Sequence, residues 1–259
     1  TMPPFQLSAI TFAIGSLPGI ALFIARPERL KELRQPPKVW LVGVGGLFGY
    51  HFLYFTALRN APAVEAGLIA YLWPLFIVLL SGLLPGERLG RLHIAGALIA
   101  FAGAGLIVMT RQTGGGEGSA LGMVLAFGCA LTWASYSVLS RRLGDVPTES
   151  VTIYCLGTAL LSALVHPMVE ETIWPQDAIG WLAVLALGIG PVGAAFFTWD
   201  IGMKKGDIQL LGVASYAAPL LSTLALMLAG ITAPSWTILA AAVLITGGAA
   251  LAARASAKG

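Results

Sequence analysis

The chain has 259 residues, of which 57% are hydrophobic and only 10% are charged, and its mean hydropathy is +0.84. The surface of a water-soluble globular protein needs more charged side chains than this. The composition therefore excludes a soluble domain and predicts an integral membrane protein. The net charge of +3 comes from cations in short connections, which excludes the clustered basic face of a nucleic-acid-binding protein.

Apolar runs of roughly 20 residues follow one another along the chain, and each is about 30 Å long as a helix, enough to cross a bilayer. The pattern predicts an all-α integral membrane protein with nine helices in this chain and short connections. The predicted spans cover residues 5–24, 39–58, 63–84, 92–110, 119–140, 149–168, 179–202, 208–230 and 235–253.

Lysine and arginine are distributed unequally between the two sets of helix ends, and cytoplasmic loops carry the excess. One set holds only Arg59 and Arg111. The other set holds Arg26, Arg29, Lys31, Arg34, Lys38, Arg88, Arg91, Arg141, Arg142, Lys204, Lys205, Arg254 and Lys258. This asymmetry predicts a multi-pass plasma-membrane protein with a cytoplasmic C-terminus and with Thr1 on the outer side.

An internal repeat relates the two halves of the chain. A shift of 145 residues places the stretch 212–219 on 67–74, with Gly, Tyr and Pro coinciding. The repeated spans 63–84 and 208–230 cross in opposite directions, so we expect inverted repeats, as in secondary transporters, over residues 1–113 and 114–259. Inversion needs an odd number of helices per repeat. We therefore expect ten helices in the natural protein, the first preceding Thr1.

The stretches ALRNAPAVEAGLIAYLWPLFIVLLSGLLPGERL and IAGALIAFAGAGLIV resemble the drug/metabolite transporter superfamily, specifically its EamA-type members, which have two five-helix repeats. The resemblance covers nearly the whole chain. Within the superfamily, the central aromatic residues most resemble the aromatic amino acid exporters of bacterial inner membranes. The resemblance implies an inner-membrane exporter.

Polar and aromatic side chains inside the spans are the first candidates for substrate binding. Tyr50, His51 and Tyr54 share one broad face near the bilayer middle. Polar atoms at that depth need protein or a water-filled cavity beside them. The alternative is that these groups only hydrogen-bond a neighbouring helix.

Two mid-span prolines, Pro74 and its repeat equivalent Pro219, are further candidates. Each removes a backbone hydrogen bond, which we expect to free the carbonyl four residues back as an acceptor for a substrate ammonium. The alternative is that the prolines only shape helix packing. The candidates around them are Tyr71, Trp73 and Pro74 in the first repeat and Ser215, Tyr216 and Pro219 in the second.

The span 119–140 adds Trp133, Tyr136 and Ser137 on one face. Trp199 and Asp200 lie near the cytoplasmic end of their span, where a gate or proton coupling competes with simple anchoring at the interface. Glu65 is a third candidate for gating or coupling. Its position in a first helical turn also suits a structural role at the positive end of the helix dipole.

An aromatic pathway without mid-span cations suits a neutral or zwitterionic solute with an aromatic body better than a phosphate or nucleotide. The favoured hypothesis is export of aromatic or hydrophobic amino acids by alternating access, by a protein that functions as a monomer without cofactor or metal. One alternative is an exporter of cationic drugs, which needs a buried carboxylate. Another is a non-transporting membrane enzyme or assembly subunit, although the chain has no HExxH or Gly-x-Ser-x-Gly motif.

Overall fold

The structure of the protein is a computed structural model that describes residues 2–110, 119–230 and 233–257. Thr1, Arg111 and Lys258, which enter the orientation prediction, lie outside these ranges. All the regular secondary structure in the described ranges is helical. Eight helical stretches there are long and apolar enough to cross a membrane, and the shorter apolar stretch Glu65–Ser81 lies at the position of the remaining predicted span.

Twelve α-helices are named in chain order over the described residues. The first six are α1 (Pro4–Ala25), α2 (Pro37–Asn60), α3 (Ala63–Ala70), α4 (Trp73–Ser81), α5 (Arg91–Thr110) and α6 (Ala120–Arg142). The others are α7 (Val151–Val169), α8 (Ala178–Leu187), α9 (Ala195–Lys205), α10 (Ile208–Ala214), α11 (Ala217–Leu228) and α12 (Trp236–Ser256). Short 3₁₀ helices cover Pro27–Leu33 and Thr148–Ser150.

Three predicted spans are interrupted, and two of the interruptions lie at Pro74 and Pro219, where the sequence predicts the loss of a backbone hydrogen bond. The span 63–84 divides into α3 and α4, and the span 208–230 divides into α10 and α11. Pro74 and Pro219 then lie in the first turn of the second helix, where a missing N–H costs little. Between α8 and α9 the chain forms a π-helix, Gly188–Ala194, which contains Pro191.

The helix bounds repeat with the same shift of 145 residues as the sequence: α3 begins at Ala63 and α10 at Ile208, while α5 begins at Arg91 and α12 at Trp236. Equivalent helices also pack on each other, because α1 contacts α7 and α5 contacts α12. The inverted direction of the two halves stays a prediction.

The chain forms two compact units, each made of two separate segments. Unit one contains Thr1–Phe52 and Leu139–Lys205. In it, the buried carboxylate of Glu170, just after α7, accepts hydrogen bonds from the backbone N–H groups of Phe5 and Gln6 at the start of α1. These donors have no partner within their own helix, so Glu170 supplies the cap that α1 lacks.

Unit two contains Leu53–Val138 and Gly206–Gly259. Its core lies between α5, α12 and the interrupted helices, and the fully buried Tyr216 and Ile245 belong to it. Gly96 of α5 and Gly248 of α12 face each other so closely that a Cβ on either would clash with the carbonyl oxygen of the other. This backbone contact gives unit two a tightly packed frame for the candidate site.

Candidate functional site

The break between α3 and α4 provides an unusual acceptor in unit two. Pro74 has no N–H to offer to the carbonyl of Ala70, four residues earlier. Within the described residues, no other group donates a hydrogen bond to this carbonyl. A carbonyl that is unpaired inside a membrane span can accept a hydrogen bond from a solute ammonium group.

Tyr216 stabilises the same break from the second repeat. Its hydroxyl accepts a hydrogen bond from the backbone N–H of Leu75 at 3.1 Å, and its ring packs against Phe101 with the ring centroids 5.8 Å apart. Leu75 directly follows Pro74, so this bond occupies a donor in the first turn of α4. Within unit two the repeated Tyr-x-x-Pro elements therefore meet through Tyr216.

Three aromatic candidates form a cluster next to this break. The rings of Trp73 and Trp133 meet edge to face with centroids 6.2 Å apart, and Trp133 contacts Tyr136 at 5.3 Å. Trp133 and Tyr136 are buried, whereas Trp73 is half-buried. The hydroxyl of Ser137 donates to the carbonyl of Trp133 at 2.9 Å. We call Trp73, Trp133 and Tyr136 the aromatic cluster.

The remaining candidates of unit two lie around both breaks. Tyr54, Tyr71 and Ser215 are half-buried, and Pro219 is buried. The expectation of a free carbonyl at Ser215 is wrong, because the N–H of Ala218 donates to it at 3.1 Å. The chain makes a tighter, 3₁₀-like turn before Pro219, and this turn satisfies the carbonyl that the proline leaves without its usual partner.

In unit one, His51 lies among aromatic rings. Its ring meets Phe12 edge to face with centroids 5.0 Å apart and also contacts Tyr50 at 5.1 Å, while Phe12 stacks on Phe196. The Nδ1 atom of His51 lies 2.7 Å from the carbonyl oxygen of Leu47. A carbonyl only accepts, so Nδ1 carries the proton, and Nε2 is the acceptor atom of the neutral ring. Phe12 and Phe196 were not predicted, since nothing in the sequence pairs residues so far apart.

Asp200 is a buried acid of unit one, and one of its two carboxylate oxygens is paired, whereas Oδ1 has no hydrogen-bond partner among the described residues. Its Oδ2 atom accepts hydrogen bonds from Lys204 Nζ at 2.8 Å and from the Thr148 hydroxyl at 2.7 Å. Lys204 also donates to the carbonyl of Val146. The network connects α9 to the connection before α7. The i, i+4 spacing of Asp200 and Lys204 is a signal that would have predicted this pair.

The other two candidates for gating or coupling have different surroundings. Trp199 is half-buried in α9 of unit one. Glu65 is exposed in the first turn of α3 in unit two, the position at which the helix dipole favours a carboxylate. In the described part of the chain, no three histidine, cysteine or acidic side chains come together as metal ligands. An apolar groove between α11 and α12, lined by Leu220, Leu224 and Trp236 among others, contains none of the predicted site residues.

The chain is 57% identical over 255 residues to "Aromatic amino acid exporter YddG" of Ancylobacter novellus, a match that covers 97% of this chain and 88% of the relative. Proteins of the same name from Salmonella typhimurium and Escherichia coli are 28% and 27% identical, and the matches cover 81% and 92% of this chain and 74% and 84% of the relatives.

A solved crystal structure is similar to this fold throughout. Its TM-score is 0.92 at 56% sequence identity, and the match covers 97% of this chain and 88% of that chain. Residues 1–109 and 120–254 match the model of the EamA-like transporter family. These relatives are named transporters and exporters rather than enzymes. The chain therefore belongs to the EamA-like transporter family, as a membrane protein with several spans.

Proposed function

We propose that this protein exports aromatic amino acids and related small metabolites across the inner membrane by alternating access. The observation that carries the proposal is the aromatic cluster of unit two beside the unpaired carbonyl of Ala70. Aromatic rings hold the apolar body of the solute through stacking, and the carbonyl and ring faces attract its ammonium group. The names of the relatives support the same substrate class.

Two acidic side chains, Asp200 of unit one and Glu65 of unit two, bear on the choice between substrates. A carrier of cationic drugs needs a buried carboxylate that is available to its substrate. Asp200 is held by Lys204 and Thr148, and Glu65 is exposed. The proposal therefore assigns Asp200 to a structural ion pair at the end of α9 and assigns substrate recognition to the aromatic cluster. His51 is proposed as a further residue of the pathway, because its ring lies among the aromatic rings of unit one.

In this proposal the C-terminus is cytoplasmic and residue 1 lies on the outer side of the membrane. The protein acts as a monomer. The excess of lysine and arginine on one set of helix ends supports it. Inverted repeats over residues 1–113 and 114–259 are proposed to provide the two conformations, and the helix bounds that repeat with a single shift support this proposal.

The test is counterflow of radiolabelled tryptophan in liposomes that contain purified protein. We expect Trp73→Ala and Trp133→Ala to reduce the initial rate roughly tenfold, because each removes an edge-to-face aromatic pair and part of the stacking surface. His51→Ala should also reduce the rate. The matched control is Trp236→Ala, since that tryptophan is 85% exposed and lies outside the aromatic cluster.

Three results would contradict the proposal. The first is a parent protein that moves no aromatic amino acid but moves a permeant cationic dye, which would point to the drug-exporter alternative. The second is a pair of variants, Trp73→Ala and Trp133→Ala, whose rates equal that of the Trp236→Ala control. The third is that neither compound crosses the membrane, which would favour a non-transporting role.

A further inference from the structure

The connection between α1 and α2 is unusually rich in cations. Residues 26–38, which we call the basic segment, contain Arg26, Arg29, Lys31, Arg34 and Lys38 against two acids, Glu28 and Glu32. Both flanking helices can span the membrane, so a connection this short lies at the bilayer surface. Its position alone places five cationic side chains at the level of the lipid headgroups.

One of the five cations holds the basic segment in place. Arg29 lies in the 3₁₀ helix Pro27–Leu33 and pairs with Glu149 of the helix Thr148–Ser150, both within unit one. Arg29 also lies 3.8 Å from Glu32. These contacts engage Glu32 and Glu149 inside the protein and fix the segment against its neighbour.

The other four cations point away from the protein. Arg26, Lys31, Arg34 and Lys38 are all exposed, and among the described residues none of them forms a salt bridge. Exposed apolar side chains accompany them, since Ile24 is 75% exposed and Leu30 is 50% exposed. Cations beside outward apolar side chains are the composition of a surface that rests on a membrane.

We propose that the basic segment binds the headgroups of anionic phospholipids, with Ile24 and Leu30 in contact with the acyl region. Charge complementarity selects this partner, because four unpaired cations remain against one exposed acid, Glu28. Each cation near an anionic bilayer adds attraction, and salt screens this attraction over a distance of about 10 Å. The binding is separate from the transport proposal, so either can fail without the other.

The test uses the purified full chain in neutral detergent with added dioleoylphosphatidylglycerol, and follows the melting temperature. We expect the lipid to raise it, and the Arg26→Gln/Lys31→Gln/Arg34→Gln/Lys38→Gln variant to need at least about tenfold more lipid for half of the effect. The matched control is Arg88→Gln/Arg91→Gln/Lys205→Gln/Arg254→Gln. It removes the same charge from four exposed cations, but these are spread over three other parts of the chain.

Further controls test whether the response needs an anionic lipid and whether it depends on the charge of the basic segment. Phosphatidylcholine and inorganic phosphate should leave the melting temperature of the parent unchanged, whereas Arg26→Lys/Arg34→Lys should keep the lipid response because it keeps the charge. Equal loss of response in the fourfold variant and its control would overturn the proposal, as would an equal response to phosphatidylcholine or phosphate. If the fourfold variant does not fold, Lys31→Gln/Lys38→Gln is titrated instead, with about a threefold weaker response expected.

Discussion

Tyr216 is fully buried, and its hydroxyl accepts a hydrogen bond from the backbone N–H of Leu75, just after the break between α3 and α4. Leu75 is in the first turn of α4, where N–H groups have no partner within the helix. Inside a membrane span there is no water to replace a lost hydrogen-bond partner. The role of Tyr216 is therefore that of a cap for a helix that lies 141 residues earlier in the chain.

Tyr216→Phe tests this role at the scale of a single atom. The change removes one oxygen and leaves the N–H of Leu75 unsatisfied, so we expect a loss of about 1–3 kcal/mol in the free energy of unfolding. Thermal melting in detergent measures the loss. Tyr154→Phe is the control, because the hydroxyl of this buried tyrosine hydrogen-bonds no described residue. Equal melting of the two variants would refute the capping role.

The site was predictable at the residue scale only where its members share a short stretch of chain. The spacing of Trp133, Tyr136 and Ser137 placed them together, and the structure has their contacts. The hydrogen bond from Leu75 to Tyr216 was not predictable, because a local sequence pattern does not indicate which residue of another helix will be the partner. The carbonyl of Ser215 was predicted wrongly, since the proline rule describes the lost bond but not the turn that replaces it.

At the scale of whole helices, α5 and α12 pack with their backbones in close contact. Small residues let the two backbones meet, and Gly96 and Gly248 mark the contact. The sequence has glycines at 96, 103 and 105, and small residues of this kind are typical of helix-packing positions. Their partner cannot be predicted, because a spacing of small residues does not say which helix will face it. The structure supplies that partner, which is the repeat equivalent of α5.

Gly248→Ala should separate these two helices. The new methyl group would meet the carbonyl oxygen of Gly96 and the side chain of Ala100, so we expect destabilisation of about 1–3 kcal/mol. Gly247→Ala is a control one residue away in the same helix, since no atom lies within 4 Å of its added Cβ. The control should be neutral or slightly stabilising because alanine favours the helix. Melting temperatures compare the two variants, and similar losses in both would argue against the close contact.

At the scale of the whole molecule, the composition predicted the spans well. All nine predicted segments have helical counterparts in the described residues, because a run of about 20 apolar residues has few other stable forms in a bilayer. The π-helix between α8 and α9 was not predicted, whereas Pro74 and Pro219 were expected to disturb their spans. Membrane helices tolerate proline in several ways, and the surroundings decide between a kink, a break and a π-helix.

The orientation of the molecule can be tested with single cysteines. We expect a membrane-impermeant maleimide to label Glu171→Cys in intact cells, and to label Lys31→Cys only after the membrane is opened, because the basic ends are predicted to be cytoplasmic. Both positions are exposed. The parent protein is the control, since its own Cys129 and Cys155 are buried and should stay unlabelled. The reverse pattern of labelling would show that the topology is inverted.

The pairing of α1 with α7 has a consequence for biosynthesis. The hydrogen bond from Phe5 to Glu170 joins residues 165 positions apart, so at typical translation rates α1 is made on the order of ten seconds before its partner. During that time α7, which packs on α1, is not yet available. Two hydroxyls of α1 bond within their own helix, Thr11 to the carbonyl of Leu7 and Ser16 to that of Ala13. The hydroxyls of Thr11 and Ser16 are therefore hydrogen-bonded within α1 before α7 is synthesised.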